Sequence, residues 1–268
     1  MSELQIAFAG LALIASLGLL TWLASLVQHD VSLVDRTWSI FITGAAAVYF
    51  VLLPAPGVRG AWMVALALVW ALRLSVYISA RNWGHGEDRR YQEIRARNEP
   101  NFAFKSLYLV FALQALLAWT VSAPFFAAMA SADAGARPLG MLDLIGLALA
   151  AFGIAFEAIG DWQMARFKAD PAHKGQVMDR GVWRYTRHPN YFGETCIWWG
   201  FWLTALGGAG LFGAWTIVSP ILMTVLLLKV SGVSLLEKDM VERRPAYRDY
   251  IARTNSFFPG PPKRAASR

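Results

Sequence analysis

Residues 187–194 combine cations, an amide and a carboxylate at what the sequence predicts to be the start of a helix. Pro189 suits the first turn of a helix, and a proline holds the residue before it extended. This helix would therefore present its free backbone N–H groups and the positive end of its dipole here. Such groups favour a phosphate, and Arg184, Arg187 and His188 add positive charge beside them. We predict a phosphate site at this helix start.

Two side chains in the same segment suit the remainder of a nucleotide. Asn190 and Glu194 are four residues apart, so they point the same way from a helix. A carboxylate repels phosphate, but it accepts hydrogen bonds from ribose hydroxyls or from a carboxamide. We therefore expect a nucleotide with its phosphates at the mouth and its sugar and ring deeper between helices. The alternative is an ordinary capped helix start.

Polar side chains also recur at helical spacing inside two apolar segments, and each set shares one predicted helix face. The sets are Arg73, Tyr77 and Arg81, and Glu157, Asp161, Met164 and Lys168. A charge at the centre of a membrane span costs about 2.5–3.5 kcal/mol, so it usually faces the protein interior. Arg81 could instead reach lipid headgroups. The two acids need a partner, which could be an arginine of the first set, a ligand with donors, or an interhelical ion pair alone.

A carboxyl group at the start of another apolar segment is a candidate proton source. Asp35 and Arg36 lie near its predicted cytoplasmic end. Asp35 could be an acid favoured by the helix dipole, or a buried carboxyl that hands over a proton. Both alternatives stay open, and we take Asp35 and Arg36 as the candidate catalytic residues.

The elements that must position these residues are predicted from composition. Of the 268 residues 56% are hydrophobic and 16% charged, whereas a soluble domain has about 25% charged residues. A spanning helix needs roughly 20 apolar residues, and the qualifying segments are 4–27, 31–53, 61–80, 103–130, 139–165, 191–206 and 211–230. We predict an all-α integral membrane protein with seven transmembrane helices, in one domain over 1–258 followed by a mobile basic tail over 259–268.

Orientation follows from the distribution of lysine and arginine, because loops rich in these residues stay in the cytoplasm. The loops after the third and fifth segments and the C-terminal tail are basic, whereas the intervening loops contain only Arg59 and Arg137. We expect the N-terminus outside and the C-terminus in the cytoplasm. Since the net charge of +7 falls in these loops, it does not indicate nucleic-acid binding.

Metal and cysteine chemistry are not expected. The four histidines show no metal-ligand spacing, and a single cysteine, Cys196, cannot form an intrachain disulfide. Residues 208–213 match the G-x-G-x-x-G spacing, but that motif needs a strand before it and a helix after it. Here it joins two predicted spans, so we expect its glycines to form a tight turn.

The string 183–194 resembles the C-terminal signature of the steroid 5α-reductase superfamily, and 72–82, 86–91 and 160–168 match as well. The chain is most similar to its bacterial branch, the DUF1295-like membrane reductases. The resemblance implies seven transmembrane helices in a bacterial inner membrane and NADPH bound from the cytosolic side. It also implies an oxidoreductase of lipid and steroid metabolism that reduces the carbon–carbon double bond of 3-oxo-Δ4 steroids or related enone lipids.

Carried over residue by residue, the resemblance implies an NADPH site. The positions that match cofactor-contacting ones are Arg73, Arg81, Asp161, Lys168, Asn190 and Glu194, with Tyr185 and Glu157 as further matches. The matching stretch 72–82 adds Asn82, and the helix faces and the 187–194 motif add Tyr77, Met164, Arg187, His188 and Tyr191. Asp35 is the counterpart of a glutamate near the substrate ketone. Trp70 replaces a tyrosine and cannot donate a phenolic proton, so the proton donor is left open.

Two other functions are compatible with the sequence. Isoprenylcysteine-type membrane methyltransferases, which use S-adenosylmethionine, also carry an Arg-His-Pro-x-Tyr element, and Glu237, Tyr247 and Tyr250 resemble their C-terminal residues. S-adenosylmethionine has no phosphates, however, and does not call for so many arginines. A non-enzymatic lipid-binding or scaffold protein is the third hypothesis. We expect a monomeric reductase whose partners are membrane lipids and a steroid or enone lipid substrate.

Overall fold

The computed structural model describes residues 1–131, 134–230, 237, 240–243 and 245–263, and within these ranges it contains helices and no strand. The helices are α1 (Glu3–Gln28), α2 (Leu33–Leu52), α3 (Gly57–Asn82), α4 (Arg89–Asn98), α5 (Phe102–Ala130), α6 (Met141–Ala169), α7 (Pro189–Ala209), α8 (Leu211–Lys229), α9 (Met240–Arg243) and α10 (Tyr247–Arg253). A π-helical turn, Leu107–Ala112, interrupts α5, and a 3-10 turn, Trp215–Ile217, interrupts α8. The predicted all-α class is confirmed for the described residues.

Among the described residues, five helices are long and apolar enough to cross a membrane, namely α1, α3, α5, α6 and α8. Helices α2 and α7 lie where the two other spans are predicted. Both carry charged residues, Asp35 and Arg36 in α2 and Glu194 in α7, which lower their mean hydropathy. The coarser prediction of a multi-pass helical membrane protein is confirmed, while the count of seven spans stays a prediction.

Local chemistry explains where two of the helices begin. Helix α7 starts at Pro189, as expected for a residue that lacks a backbone N–H. Helix α4 occupies a segment predicted only as a loop. Asp88 caps it, because its side chain accepts a hydrogen bond from the backbone N–H of Arg90 at 2.9 Å. This helix is short and polar, so no hydrophobic periodicity indicated it.

Contacts divide the chain into two compact units. Unit 1 comprises Met1–Ile145 and Phe201–Ser219, and unit 2 comprises Gly146–Gly200 and Pro220–Arg268. Helices α6, α7 and α8 therefore each contribute residues to both units. The expectation of a single domain over 1–258 stays a prediction.

In unit 1, α1, α2 and α3 pack side by side, with α5 against α1 and α2. Glycine permits one of the closest approaches, because a Cβ atom on Gly10 of α1 would lie 2.6 Å from the ring of Tyr49 on α2. The Tyr49 hydroxyl lies 3.2 Å from the Ser122 hydroxyl of α5. Small residues at such interfaces let helices approach closely where lipid offers no hydrophobic driving force.

A buried ion pair joins α3 to the start of α6 in unit 1. Nε and Nη2 of Arg59 lie 2.6 and 3.0 Å from the two carboxylate oxygens of Asp143, and both side chains are 1% exposed. The prediction that Arg59 is a loop residue was wrong, since it lies in α3 and in the core. Gly208 makes room for it, because a Cβ there would lie 2.6 Å from Arg59. Gly210, with φ of +57°, turns the chain between α7 and α8, which confirms the predicted glycine turn.

In unit 2, glycines bring the backbones of α6 and α7 into contact. A Cβ on Gly153 of α6 would lie 2.5 Å from the carbonyl oxygen of Gly193 on α7. Likewise, a Cβ on Gly200 of α7 would lie 2.5 Å from the carbonyl oxygen of Gly146 on α6. The same packing places Glu157, one turn after Gly153, beside Gly193.

The start of the predicted tail is hydrogen-bonded in unit 2. The backbone N–H of Gly260 donates to the carbonyl of Tyr185 at 3.0 Å, and that of Lys263 donates to the carbonyl of Arg253 at 2.8 Å. Residues 264–268 lie outside the described ranges. The mobility of 259–268 stays a prediction.

Candidate functional site

Asp35 is the centre of a hydrogen-bonded cluster in unit 1 that links α2 to α4. The hydroxyl of Tyr91 donates to Oδ1 of Asp35 at 2.7 Å, and Nη2 of Arg90 donates to Oδ2 at 2.7 Å. Nε2 of Gln114, on α5, lies 3.4 Å from the Tyr91 hydroxyl oxygen. Helix α4 thus delivers a phenol and a guanidinium to the first turn of α2, where Asp35 lies.

Tyr91 retains its proton in this cluster. Its side chain is buried, at 6% exposure. Burial raises the pKa of Tyr91 well above 10, and the charge of Asp35 and its hydrogen bond raise it further. Our sequence reasoning missed Tyr91 and Arg90 as site residues. Both residues lie in the stretch 86–91, which matches the superfamily. That match could have identified them as site residues.

Arg36, the second predicted catalytic residue, belongs to a neighbouring cluster. Its Nη2 lies 3.3 Å from Oδ2 of Asp30. Glu87 in turn accepts hydrogen bonds from the backbone N–H of Val31 at 2.9 Å and from Arg95 at 2.8 and 2.9 Å. Three of these residues, Asp30, Arg36 and Glu87, line a cavity of about 270 Å³ in unit 1. Its other lining residues are Gln28, His29, Asn82, Trp83, Gly84 and Gly86. Arg36 and the predicted cofactor residue Asn82 therefore share a cavity.

Two residues of the predicted polar face of α3, Tyr77 and Arg81, contact each other. The guanidinium carbon of Arg81 lies 5.8 Å from the centroid of the Tyr77 ring, which is a cation–π contact. Nε of Arg81 also donates to Oδ1 of Asn82 at 3.1 Å. Arg81 is exposed, whereas Arg73 and Tyr77 are half-buried. Their contact with a cofactor stays a prediction.

The acids of α6 and α7 in unit 2 are buried, as expected for charged groups on apolar helices. Glu157, Asp161 and Glu194 are 3%, 4% and 5% exposed. The close packing at Gly193 places Glu157 against α7. One oxygen of Glu194 accepts a hydrogen bond from the indole N–H of Trp198 at 2.8 Å. Carboxylates from two adjacent helices therefore lie buried in one unit.

The remaining predicted residues of α6 and α7 mark the edge of this region. Met164 and Asn190 are half-buried, and Lys168 is exposed. Asn190 is the second residue of α7. Tyr185, in the loop before α7, is 47% exposed. The expected pairing of Arg73 or Arg81 with the acids of α6 stays a prediction.

Arg187 and His188 contact Glu237 and are not open to solvent. Nε and Nη2 of Arg187 lie 2.7 and 2.9 Å from the two oxygens of Glu237, and Nε2 of His188 lies 2.9 Å from Oε1. Arg187 is 8% exposed and His188 is 5% exposed. Nη1 of Arg187 also donates to the carbonyl of Thr254 at 2.5 Å. Two of the three basic residues of the predicted phosphate site thus already contact one carboxylate.

Tyr191 and Tyr247 also belong to this arrangement. We call Glu237, Arg187, His188, Tyr191 and Tyr247 the Glu237 cluster. Burial alone would raise the pKa of Glu237, but hydrogen bonds from His188 and Arg187 and the Arg187 charge lower it to about 2. Burial and the charge of Glu237 raise the pKa of Tyr247 to about 12. The His188 ring stacks on Tyr191, with centroids 5.5 Å apart. The cluster therefore holds the α7 start against the C-terminal segment.

Comparison of the chain with known proteins shows the family to which it belongs. One relative is an uncharacterized protein of Schizosaccharomyces pombe, 27% identical over 276 residues, which cover 93% of this chain and 78% of the relative. No solved structure matches the chain. A family model described as "Protein of unknown function (DUF1295)" matches residues 21–254, a range that includes Asp35, Tyr91, Glu194 and the Glu237 cluster. The chain therefore belongs to the DUF1295 family, which is related to the steroid 5α-reductase superfamily.

Proposed function

We propose that this protein is a membrane reductase that uses NADPH to saturate the carbon–carbon double bond of a 3-oxo-Δ4 steroid or a related enone lipid. The observation that carries the proposal is the phenol of Tyr91, held 2.7 Å from the carboxyl group of Asp35. The resemblance implies a carboxyl group and a tyrosine near the substrate ketone. Trp70, fully buried in α3, takes the place of that tyrosine, and Tyr91 supplies the phenol from α4 instead.

The residues of unit 1 suit the charge that this reaction creates. When bound, NADPH would supply a hydride to the β-carbon of the enone, which leaves negative charge on the ketone oxygen. A donor placed at that oxygen stabilises the enolate, and Tyr91 is a phenol that keeps its proton until the charge develops. Tyr91 would turn its hydroxyl from Asp35 to this oxygen and give it the proton. The resulting enol becomes the ketone when a proton from water adds to the α-carbon and the hydroxyl proton returns to the Tyr91 phenolate. Asp35 and Arg90 orient the phenol.

The residues of unit 2 suit the sugar and amide parts of the cofactor. Glu157, Asp161 and Glu194 are buried carboxylates, which accept hydrogen bonds from ribose hydroxyls and a carboxamide. The side-chain amide of Asn190 can both donate and accept. We propose that these four residues bind NADPH.

The proposal includes seven membrane spans, with the N-terminus outside and the C-terminus in the cytoplasm of a bacterial inner membrane. Helices α2 and α7 have 20 and 21 residues, and a helix of about 20 residues crosses the hydrocarbon core. Their charged residues would face protein and not lipid. Lys238 and Arg244, which add to the basic C-terminal segment, lie outside the described residues.

The methyltransferase hypothesis stays as the alternative, because Glu237 and Tyr247 do meet His188. The Tyr247 hydroxyl lies 3.4 Å from Oε1 of Glu237, the oxygen that His188 contacts. Both oxygens of Glu237 are already engaged by Arg187, however. A carboxylate in this state has little capacity left for a ligand, which favours the reductase.

Ligand-dependent thermal stability of the detergent-purified protein distinguishes the hypotheses. A ligand that binds only the folded state adds about 2.7 kcal/mol at one hundred times its Kd. We expect NADPH to raise the unfolding temperature and S-adenosylmethionine to leave it unchanged. The reverse result would replace the reductase by the methyltransferase, and no shift with either ligand would favour a non-enzymatic protein. Oxidation of NADPH on addition of an enone steroid then tests the reaction itself.

A further inference from the structure

A basic cleft of about 510 Å³ opens in unit 2 beside the loop that leads into α7. Four cationic side chains line it, together with Asp179 and Thr254: Arg180, Arg184, Arg253 and Lys263. Arg180 precedes the 3-10 turn Gly181–Arg184, Arg184 ends it, and Arg253 is the last residue of α10. We call this feature the basic cleft.

The charges of the basic cleft do not balance. Oδ2 of Asp179 lies 2.5 Å from Nη2 of Arg253, which neutralises one of the four cations. Arg180, Arg184 and Lys263 form no ion pair with any residue that the structure describes, and all three are exposed. Three positive charges around one cleft repel each other unless an anion binds between them.

The walls of the basic cleft are held together by the backbone. The N–H of Lys263 donates to the carbonyl of Arg253 at 2.8 Å, and the N–H of Gly260 donates to the carbonyl of Tyr185 at 3.0 Å. The segment after α10 is therefore tied both to α10 and to the loop before α7. A site whose walls are already ordered loses less entropy when a ligand binds.

The basic cleft also changes where an anion would bind on this loop. Of the basic residues that the sequence places beside the α7 start, Arg187 and His188 are buried and contact Glu237. Arg184 is exposed and has no ion-pair partner among the described residues, and it lines the basic cleft with Arg180 and Lys263. A phosphate drawn to this loop thus finds exposed basic side chains in the cleft and not at the buried start of α7.

We propose that the basic cleft binds a phosphate monoester. At neutral pH such a group carries a charge of about −1.5 to −2 and three acceptor oxygens. This suits three cations that have no ion-pair partner among the described residues better than a singly charged diester does. Two sources present this group at a cytoplasmic membrane surface. One is the 2′-phosphate of NADPH, which rests on the proposed function, and the other is the headgroup of phosphatidic acid.

Two matched ligand pairs test the proposal on the full-length protein in detergent. NADPH and NADH differ only by the 2′-phosphate monoester, and short-chain phosphatidic acid and phosphatidylcholine differ as monoester and diester. We expect Arg180→Ala, Arg184→Ala and Lys263→Ala each to weaken binding of the monoester by about tenfold, roughly the effect of one charge-assisted hydrogen bond at an exposed site. Binding of NADH or phosphatidylcholine should not change.

Two variants serve as controls in the same titrations. Lys174→Ala removes an exposed cation of the same loop that does not line the cleft, so it should bind every ligand as the wild type does. Arg184→Lys keeps the charge and should retain most of the affinity. Because the three alanine substitutions are at exposed positions, their unfolding temperatures without ligand should equal that of the wild type.

The outcomes answer two questions: whether the basic cleft binds a phosphate monoester, and which molecule carries that group. An effect on NADPH alone identifies the cofactor, and an effect on phosphatidic acid alone identifies the lipid headgroup. If neither monoester binds more weakly to any alanine variant than to the wild type, the proposal is overturned. A wild-type protein that binds neither nicotinamide nucleotide removes the proposed function, yet the lipid pair still tests the basic cleft.

Discussion

The phenol of Tyr91 lies 2.7 Å from one carboxylate oxygen of Asp35, while Arg90 holds the other. Of the groups in this cluster, a guanidinium gives up no proton in a protein, and the amide of Gln114 is not an acid. The phenol has a transferable proton, and its hydrogen bond to Asp35 fixes the position of its oxygen. At the scale of single residues, the chemistry of the proposed reductase therefore depends on Tyr91 as the donor and on Asp35 as the group that positions it.

Replacing Tyr91 by phenylalanine tests this role. Tyr91→Phe removes one hydroxyl and should lower kcat for enone reduction by about 10²–10⁴-fold, the range for loss of a general acid. NADPH affinity should not change, because Tyr91 is not among the proposed cofactor residues. Tyr108→Phe, at an exposed tyrosine of α5, is the matched control. Equal kcat values in the two variants would exclude Tyr91 as the donor.

Because of Glu237, we expect the free energy of unfolding to depend on pH. The pKa of Glu237 is about 2 in the folded protein and 4.5 by default, so the unfolded chain binds the proton more tightly. The stabilisation is therefore complete above pH 4.5, and it is lost as the pH falls from there toward 2. The full difference corresponds to roughly 3 kcal/mol.

The melting temperature between pH 5 and pH 3 is the measurement that checks this. We expect the wild type to lose stability steeply over this interval, and Glu237→Gln to start lower and change less. Glu242→Gln, at an exposed glutamate of α9, should follow the wild type. Parallel curves for the wild type and Glu237→Gln would show that Glu237 is not the group responsible.

The spacing of the helices in unit 2 is set by glycine. Hydrophobic side chains gain little by moving from lipid to a helix interface, so close backbone contact must supply the attraction. At Gly153 and Gly193 the two backbones touch, and a Cβ on Gly153 would lie 2.5 Å from a carbonyl oxygen. At the scale of elements, this contact is what brings Glu157 of α6 beside α7.

A branched side chain at Gly153 should push α6 and α7 apart. Gly153→Val should lower the free energy of unfolding by about 1–3 kcal/mol, the usual cost of overpacking, and should also weaken NADPH binding as the acids separate. Ala155→Val adds a similar volume at an exposed position on the same helix and should do neither. Thermal unfolding in detergent, with and without NADPH, measures both effects.

The whole chain is organised by the alternation of apolar helices and basic loops. Five helices qualify as spans by length and composition among the described residues, and the proposed function adds α2 and α7, which carry charged residues. An odd number of spans puts the termini on opposite sides, and an even number puts them on the same side. Five and seven are both odd, so either count puts the two termini on opposite sides. Whether α2 and α7 cross the membrane decides instead on which side the loops between the other spans lie.

Cysteine labelling measures this topology directly, because Cys196 is buried and is the single cysteine of the chain. In a Cys196→Ala background, Val58→Cys places a thiol at an exposed position before the body of α3, and Ala172→Cys places one after α6. A membrane-impermeant maleimide should label position 58 in intact cells and position 172 only after permeabilisation. Labelling of both positions in intact cells would contradict the proposed seven spans.

The fold class and the positions of the long helices followed from the sequence by itself, because the sequence features that predict them are local. Stretches of about 20 apolar residues predict spans wherever they occur, and Pro189 starts α7 because it lacks a backbone N–H. Burial of Glu157, Asp161 and Glu194 was predictable for the same reason, since charges on apolar helices rarely face lipid.

Only the tertiary structure decided which charged groups pair. Arg187 lies 50 residues from Glu237, and Asp35 lies 56 residues from Tyr91. Many carboxylates of the chain could neutralise a given arginine, and nothing in the spacing selects one. The choice depends on how the helices and the C-terminal segment pack. This is why the sequence predicts a phosphate site at Arg187 and His188, whereas in the folded chain both contact Glu237. Among the described residues, Arg180, Arg184 and Lys263 have no ion-pair partner.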